Sequence, residues 1–160
     1  MTRLEIKVDT ATQCLEVHDA GKLQCRYRVS TSRFGNGSQQ GSYRTPLGEH
    51  VVRAKIGSGL PPGSVFVGRR PTGEVYSPGC AVHEPNRDWI LSRILWLSGK
   101  ELGKNRLGSV DTMRRYIYIH GTAETHLLGQ PASIGCIRMA NEDVIELFDM
   151  IPVGCSVAIF

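Results

Sequence analysis

The chain has 160 residues, 41% hydrophobic and 21% charged, the balance of a soluble globular protein long enough for one core. Its net charge of +4 comes from scattered basic residues, with Arg69-Arg70 and Arg114-Arg115 the only adjacent pairs. No basic run is interleaved with aromatics, which argues against a nucleic-acid partner, and no apolar stretch approaches the length of a membrane span.

The first thirteen residues lack the apolar core of a secretory signal and alternate instead, so the expectation is a cytoplasmic protein that begins at Met1. Residues 4–8 alternate with period two, Asp9–Thr12 turn, residues 13–17 alternate again, and Asp19-Ala20-Gly21 leads into residues 22–30. The chain therefore opens as a β-meander. Residues 31–45 are rich in Ser, Gly, Asn and Gln and read as a loop. Thr45-Pro46-Leu47-Gly48 enters a strand over 50–56, with His50 and His18 on strand surfaces. Residues 65–67 form a short strand between a 57–63 connector and a 68–79 loop. The 57–63 connector carries three glycines but no following Lys-Ser/Thr, so it is not a phosphate loop.

Apolar positions 90, 91, 94, 95 and 97 suit a helix over 89–97, capped by Asn86 or Asp88, with Trp89 and Trp96 on one face. A helix there could cover a cleft. Residues 100–110 read as loop, and residues 116–119 as a strand whose end delivers His120. Asn141 reads as the N-cap of a helix to about Met150, with Glu142 and Asp143 in its first turn and Val144, Ile145, Leu147 and Phe148 on its buried face. Residues 155–160 close the chain as a strand. One domain over 1–160, mostly β with two helices, is the expected organisation.

Five cysteines (14, 25, 80, 136 and 155) have no framework spacing and are expected as free thiols. Cys80 and His83, with Glu84, lack the second ligand pair of a zinc site, so no metal or other cofactor is expected; this segment could line a cleft instead. His126 reads as a solvated loop histidine.

The chemistry concentrates between residues 117 and 139. His120 leaves an apolar strand and is followed by Gly121, which leaves its ring free to be exposed. Cys136 follows Gly135, 16 positions after His120. A thiolate is the reactive form of cysteine, and a neighbouring imidazole can take the thiol proton and return it to a leaving amine. The N–H groups of Gly135 and Cys136 could form an oxyanion hole. These residues describe a Cys–His acyl-transfer site. If the two titrate as a pair, activity should follow a coupled bell with pH.

The wider stretch resembles the L,D-transpeptidase (YkuD-type) family. Its pattern is His-Gly-Thr, a loop, Ser-His-Gly-Cys-Ile-Arg-Met, and an Asn opening a helix. Here the match runs through His120-Gly121-Thr122, Ser133-Ile134-Gly135-Cys136-Ile137-Arg138-Met139 and Asn141. Thr45-Pro46-Leu47-Gly48 and Gly154 with Val157 fit its other conserved strands. Ile134 departs from the pattern, since the family usually carries a second His there. The resemblance implies a β-sandwich or barrel-like catalytic domain with two or three short helices. It implies Cys136 as nucleophile, His120 as base and the carbonyl of Gly121, or of its neighbour, as the group that orients the imidazole. Arg138 would meet a substrate carboxylate. Ser133 and Thr122 are expected at the substrate too, and Tyr118, with Tyr43 and Arg44, could contact it.

The implied substrate is a peptidoglycan tetrapeptide or muropeptide, cleaved before the terminal D-Ala through an acyl-enzyme. With a cytoplasmic setting, the expected activity is hydrolysis, an L,D-carboxypeptidase of muropeptide recycling. The alternative is transfer to an amine, giving 3–3 cross-links or D-amino-acid exchange. No membrane partner is expected, and the chain is expected to be a monomer.

Overall fold

Alternating apolar side chains build the first part of the sheet in the computed structural model, which describes residues 3–160. Strands β1 (Leu4–Asp9), β2 (Cys14–Asp19) and β3 (Lys22–Ser30) form an antiparallel meander. Ile6, Val8, Leu15, Val17 and Val29 are fully buried on its inner face, as the period-two pattern requires. The last strand, β10 (Ser156–Ile159), lies parallel to β1 with Ile6 beside Val157, and β4 (Gly48–Ile56) runs antiparallel to β10.

The other half is β7 (Ile90–Gly99), β8 (Tyr118–Thr122) and β9 (Ile137–Ala140). β7 pairs antiparallel with β8, β8 runs parallel to β9, and β9 returns antiparallel to β3. Because β4 also pairs with β7, the ring β4-β10-β1-β2-β3-β9-β8-β7 closes on itself as a barrel-like sheet. A hairpin of β5 (Ser64–Val67) and β6 (Arg70–Val75) attaches to the N-terminal half of β7. Helix α1 (Pro78–His83) is a single exposed turn and a half, and α2 (Asn141–Met150) packs against β7, β8 and β9. The architecture is mostly β with two helices.

Two apolar clusters follow from this closure. The larger fills the barrel and includes Ile119, Ile137, Met139, Leu95 and Leu97, with Val144, Leu147 and Phe148 of α2 packed onto it. The smaller lies outside the ring, under the β5–β6 hairpin, and joins Phe66, Ile94 and Tyr118 to Trp96, Ile90 and Cys136.

Residues 89–97, read from the sequence as a helix, are strand. β7 is apolar on both faces because both are covered: Leu95 and Leu97 face the barrel, while Ile90, Ile94 and Trp96 face the hairpin cluster. A bulge between Leu91 and Ile94, with buried Ser92 at φ 70°, interrupts the alternation. The surviving apolar spacing imitates a helix. Trp89 and Trp96 therefore share no helix face: Trp89 meets Tyr76 edge-on and Trp96 meets Tyr118. The 68–79 segment also contains β6, whose side chains are all exposed and carry no pattern. His50 is not on the surface. It is fully buried, with Nδ1 3.0 Å from the Gly48 carbonyl and Nε2 3.0 Å from Thr112 Oγ1. Asn141 is the first residue of α2 rather than its cap, and its Oδ1 accepts a 2.7 Å bond from Ser92 Oγ.

Candidate active site

The parallel β8–β9 ladder fixes which side chains can meet. Ile119 and Ile137 are paired and both point into the barrel. Their neighbours Tyr118 and His120 on β8, and Cys136 and Arg138 at β9, therefore share the outer face. His120 is directly opposite Arg138 in the register. Cys136 sits one step before the ladder, diagonal to His120. The Tyr118 N–H donates to Cys136 Sγ at 3.3 Å, and Sγ lies 3.4 Å from the Tyr116 carbonyl.

His120 lies inside β8, not at its end, and is fully buried rather than exposed. Its Nδ1 is 2.8 Å from the Gly121 carbonyl. A carbonyl only accepts, so Nδ1 carries the proton and Nε2 keeps its lone pair in the neutral ring. Nε2 has no hydrogen-bond partner among the described residues. This is the geometry of a base held in one tautomer. Gly121 is held in turn: a Cβ on it would meet Asn141 Oδ1 and would come within 2.7 Å of the Leu91 carbonyl. The β7 bulge and the Ser92–Asn141 bond thus press on the residue that orients the imidazole.

Burial dominates the electrostatics. It pushes the Cys136 thiol up to about 12; Asp88 adds to this, while the Tyr118 N–H, Arg138 and Arg115 oppose it. Burial lowers the His120 pKa, opposed by Asp88 and the Gly121 carbonyl and helped by Arg138. At neutral pH both groups are uncharged.

Several expected contacts are used within the protein. Ser133 is buried; its Oγ donates to the Cys136 carbonyl at 2.6 Å and accepts the Gly135 N–H at 3.2 Å. It locks the 133–136 turn instead of facing substrate. The Gly135 N–H is thereby taken, which leaves the Cys136 N–H as the oxyanion donor of the expected pair. The Gly135 carbonyl accepts from Thr45 Oγ1 at 2.9 Å, which explains the Thr-Pro-Leu-Gly segment's place beside the site. Thr122 is buried and its Oγ1 accepts the Glu124 N–H at 3.1 Å, a turn contact. The Tyr118 hydroxyl accepts from Arg69 at 3.0 Å, and the Arg69 guanidinium lies 4.4 Å over the Tyr116 ring, so the β5–β6 turn is latched onto the site.

Arg138 is not a free cation. Its guanidinium pairs with Asp88 at 2.9 Å and with Glu124 at 3.6 Å. Asp88, which the sequence suggests as a helix cap, is thus a site residue; its partner is 50 positions away and no local pattern announces it. Arg115 is also at the site, held by the carbonyls of Gly37 and Arg44 at 3.2 and 2.6 Å.

Two hollows meet at this face. One, of about 340 Å³, is lined by Arg33, Asp88, Glu124, Ile134 and Arg138 among others. The other, of about 200 Å³, is lined by Gln40, Tyr43, Arg115, Ile117 and Ile134. Ile134 borders both. Residues 85–88 line the first hollow, whereas Cys80, His83 and Glu84 do not. His126 is exposed in the 125–127 turn. A larger hollow of about 570 Å³ between Arg3 and Ser156 contains none of these groups.

The model of the YkuD L,D-transpeptidase catalytic domain matches residues 3–159. The chain belongs to this family. Among its relatives, a putative L,D-transpeptidase YqjB of Bacillus subtilis is 51% identical over 41 residues, which is 26% of this chain and 23% of that protein. The putative L,D-transpeptidase YkuD of the same organism is 46% identical over 46 residues, 29% of this chain and 28% of that protein. L,D-transpeptidase 3 of Mycobacterium tuberculosis, in complex with a faropenem-derived adduct, superposes with a TM-score of 0.62 at 16% identity, over 99% of this chain and 60% of that one. An L,D-transpeptidase of Enterococcus faecium gives a TM-score of 0.60 at 16% identity, over 99% of this chain and 50% of that one. The matched segments cover about a quarter of the two Bacillus proteins, and the fold covers 60% or less of these two solved chains. At these identities the solved structures share the fold.

Proposed function

We propose that this L,D-transpeptidase-family domain cleaves peptidoglycan tetrapeptides before the terminal D-Ala, with Cys136 as nucleophile, His120 as base and water as the main acceptor. The observation that carries the reading is the fixed tautomer of His120: with Nδ1 bound to the Gly121 carbonyl, Nε2 is left as an unpartnered base on the face it shares with Cys136.

In the first step Sγ attacks the carbonyl carbon that precedes D-Ala, and the thiol proton passes to Nε2. The Cys136 N–H faces the oxyanion that develops. The C–N bond then breaks, and the imidazolium gives its proton to the departing D-Ala amine. This leaves a thioester on Cys136. Water next attacks it, losing a proton to Nε2, and the thiol is restored as the tripeptide leaves. The Tyr43–Ile134 hollow, of about 200 Å³, is walled by Ile117 and Ile134. Ile134 keeps this wall apolar where the family pattern carries a histidine. This reading places the protein in the cytoplasm, on recovered muropeptides.

Amine capture is the second reading. It is favoured by the mixed charges of the larger hollow, where Asp88 and Glu124 stand beside Arg138 and could receive a zwitterionic amine. Incubating the protein with tetrapeptide, with and without a D-amino acid, and weighing the products separates the two. Tripeptide and free D-Ala in both conditions support hydrolysis; an exchanged tetrapeptide supports transfer. Absence of D-Ala release and of any carbapenem adduct on Cys136 would sink the acyl-enzyme itself.

A further inference from the structure

A buried base that must become a cation needs a counter-charge, and the orienting partner of His120 is a neutral carbonyl. The question is what supplies that charge. Arg138 stands directly opposite His120 in the ladder and would repel an imidazolium. Two carboxylates hold it: Asp88 at 2.9 Å and Glu124 at 3.6 Å. Arg138 and Asp88 are the more enclosed of the three, with side chains 10% and 30% exposed against 52% for Glu124. This cluster carries one positive and two negative charges, a net of −1. Protonating His120 brings it to zero.

We propose that Asp88 is a positioning residue of the Cys136–His120 pair: its carboxylate pins Arg138 and supplies the counter-charge for the imidazolium formed on buried His120. The inference rests on the acyl-transfer reading above and adds an acid to it that is distant in sequence.

Apart from Glu124, which is farther from Arg138 and half exposed, the surroundings offer no other acid for this role among the described residues. On the β7 side, His120 faces Ile94, which carries no charge. Arg93 of the same strand points away, to the carbonyls of Leu60 and Ser92. Arg33 lies over the Phe34 ring, and Arg87 is taken by Glu84 at 2.7 Å and Glu74 at 3.8 Å. Arg115 and Tyr118 act on Cys136 from the other side, with Arg69 on the Tyr118 hydroxyl. Asp88 acts on both members of the pair: its charge favours the protonated form of His120 and of Cys136 alike. It therefore adds to the burial that keeps the thiol protonated at rest, and makes the imidazole a better acceptor when the thiol attacks.

The test is Asp88→Asn, with Asp88→Glu as the conservative rescue and Asp88→Ser in reserve should the asparagine variant not fold. Folding is checked by circular dichroism. Three shifts are expected in the asparagine variant. The plateau of kcat/KM for tetrapeptide falls about tenfold, and its acid limb moves to lower pH by about one unit, the size of a nearby-charge effect. The pH midpoint for alkylation of Cys136 by iodoacetamide, followed by intact mass, also moves down. Asp88→Glu returns the acid limb and the midpoint most of the way. A folded Asp88→Asn protein with unchanged limb and unchanged alkylation midpoint overturns the proposal. The alkylation arm needs no substrate, so it judges Asp88 even if the protein proves inactive on tetrapeptides.

Discussion

Gly121→Ala tests how tightly the imidazole is held. The added methyl would meet Asn141 Oδ1 and would stand 2.7 Å from the Leu91 carbonyl, a backbone atom of the bulged strand that cannot turn aside. Something must shift, and the lightest part is the Gly121 peptide itself. Relieving such an overlap costs about 1–3 kcal/mol. For a chain of this length each kcal/mol lowers Tm by roughly 2–4 °C, so a fall of about 2–12 °C is expected. The catalytic loss should be larger than the stability loss implies. Moving the Gly121 carbonyl breaks the 2.8 Å bond that holds His120 Nδ1. A misplacement of 1 Å in such a group can cost on the order of a hundredfold. The assay is D-Ala release from tetrapeptide at a temperature well below the variant's Tm, with folded fraction measured in parallel. A variant that melts early yet keeps wild-type kcat/KM refutes the argument that the bulge positions the base. A variant with unchanged Tm refutes the packing argument beneath it.

The remaining predictions concern charge and burial. The thiol pushed up to about 12 gives no alkaline limb in the working range, so kcat/KM should hold a plateau from about pH 7 to 10 in place of a bell. Its acid limb should fall below the ordinary histidine value of 6.5, because activity is lost as pH drops through the lowered His120 pKa; a midpoint above 7 in initial rates would contradict this. Buried His50 has its pKa lowered to about 4 by desolvation. The unfolded chain binds this proton first, so stability is full above about 6.5 and declines toward pH 4, by about 3 kcal/mol. Urea melts at pH 7 and 4.5 should show the loss, and His50→Gln should remove a good part of it. Asn105 is fully buried and bonds the Glu101 N–H and the carbonyls of Leu47 and Glu49 at 3.0–3.1 Å. Asn105→Ala leaves buried polar groups unpaired and should cost about 2–4 kcal/mol, read as a lower midpoint in denaturant.

The meander, the final strand and α2 were legible because each has one wet face and one dry face, and the alternation or helical stripe of the sequence records that contrast directly. β7 was not, because hairpin and barrel cover both its faces and the bulge at Ser92 leaves apolar residues at 90, 91, 94, 95 and 97. Such spacing does not distinguish a doubly covered strand from a helix. β6 escaped for the opposite reason: with every side chain exposed, it has no dry face to record. His50 stands two residues before buried Val52 on the same strand, so alternation alone places it inside. At the site, local motif carried Cys136, His120, Gly121 and Ser133 into view together. It could not show that Ser133 and Thr122 spend their hydroxyls on the backbone, nor that Arg138 is already paired. Asp88 lay outside any motif because an ion pair across 50 positions leaves no trace in local spacing.

The ring of strands also has a kinetic side. β10 is inserted between β1 and β4, so the first strand, paired with β2 on one edge, waits for a partner on its other edge until residue 159 has been made. Until then β1 and β4 both present unpaired edges, and unpaired edges recruit other chains. Closure links segments about as distant in sequence as this chain allows, which slows folding relative to local contacts. Removing the last few residues should therefore do more than trim a terminus. It would leave two open edges on every molecule, and the expected phenotype is aggregation during synthesis rather than a soluble, inactive protein.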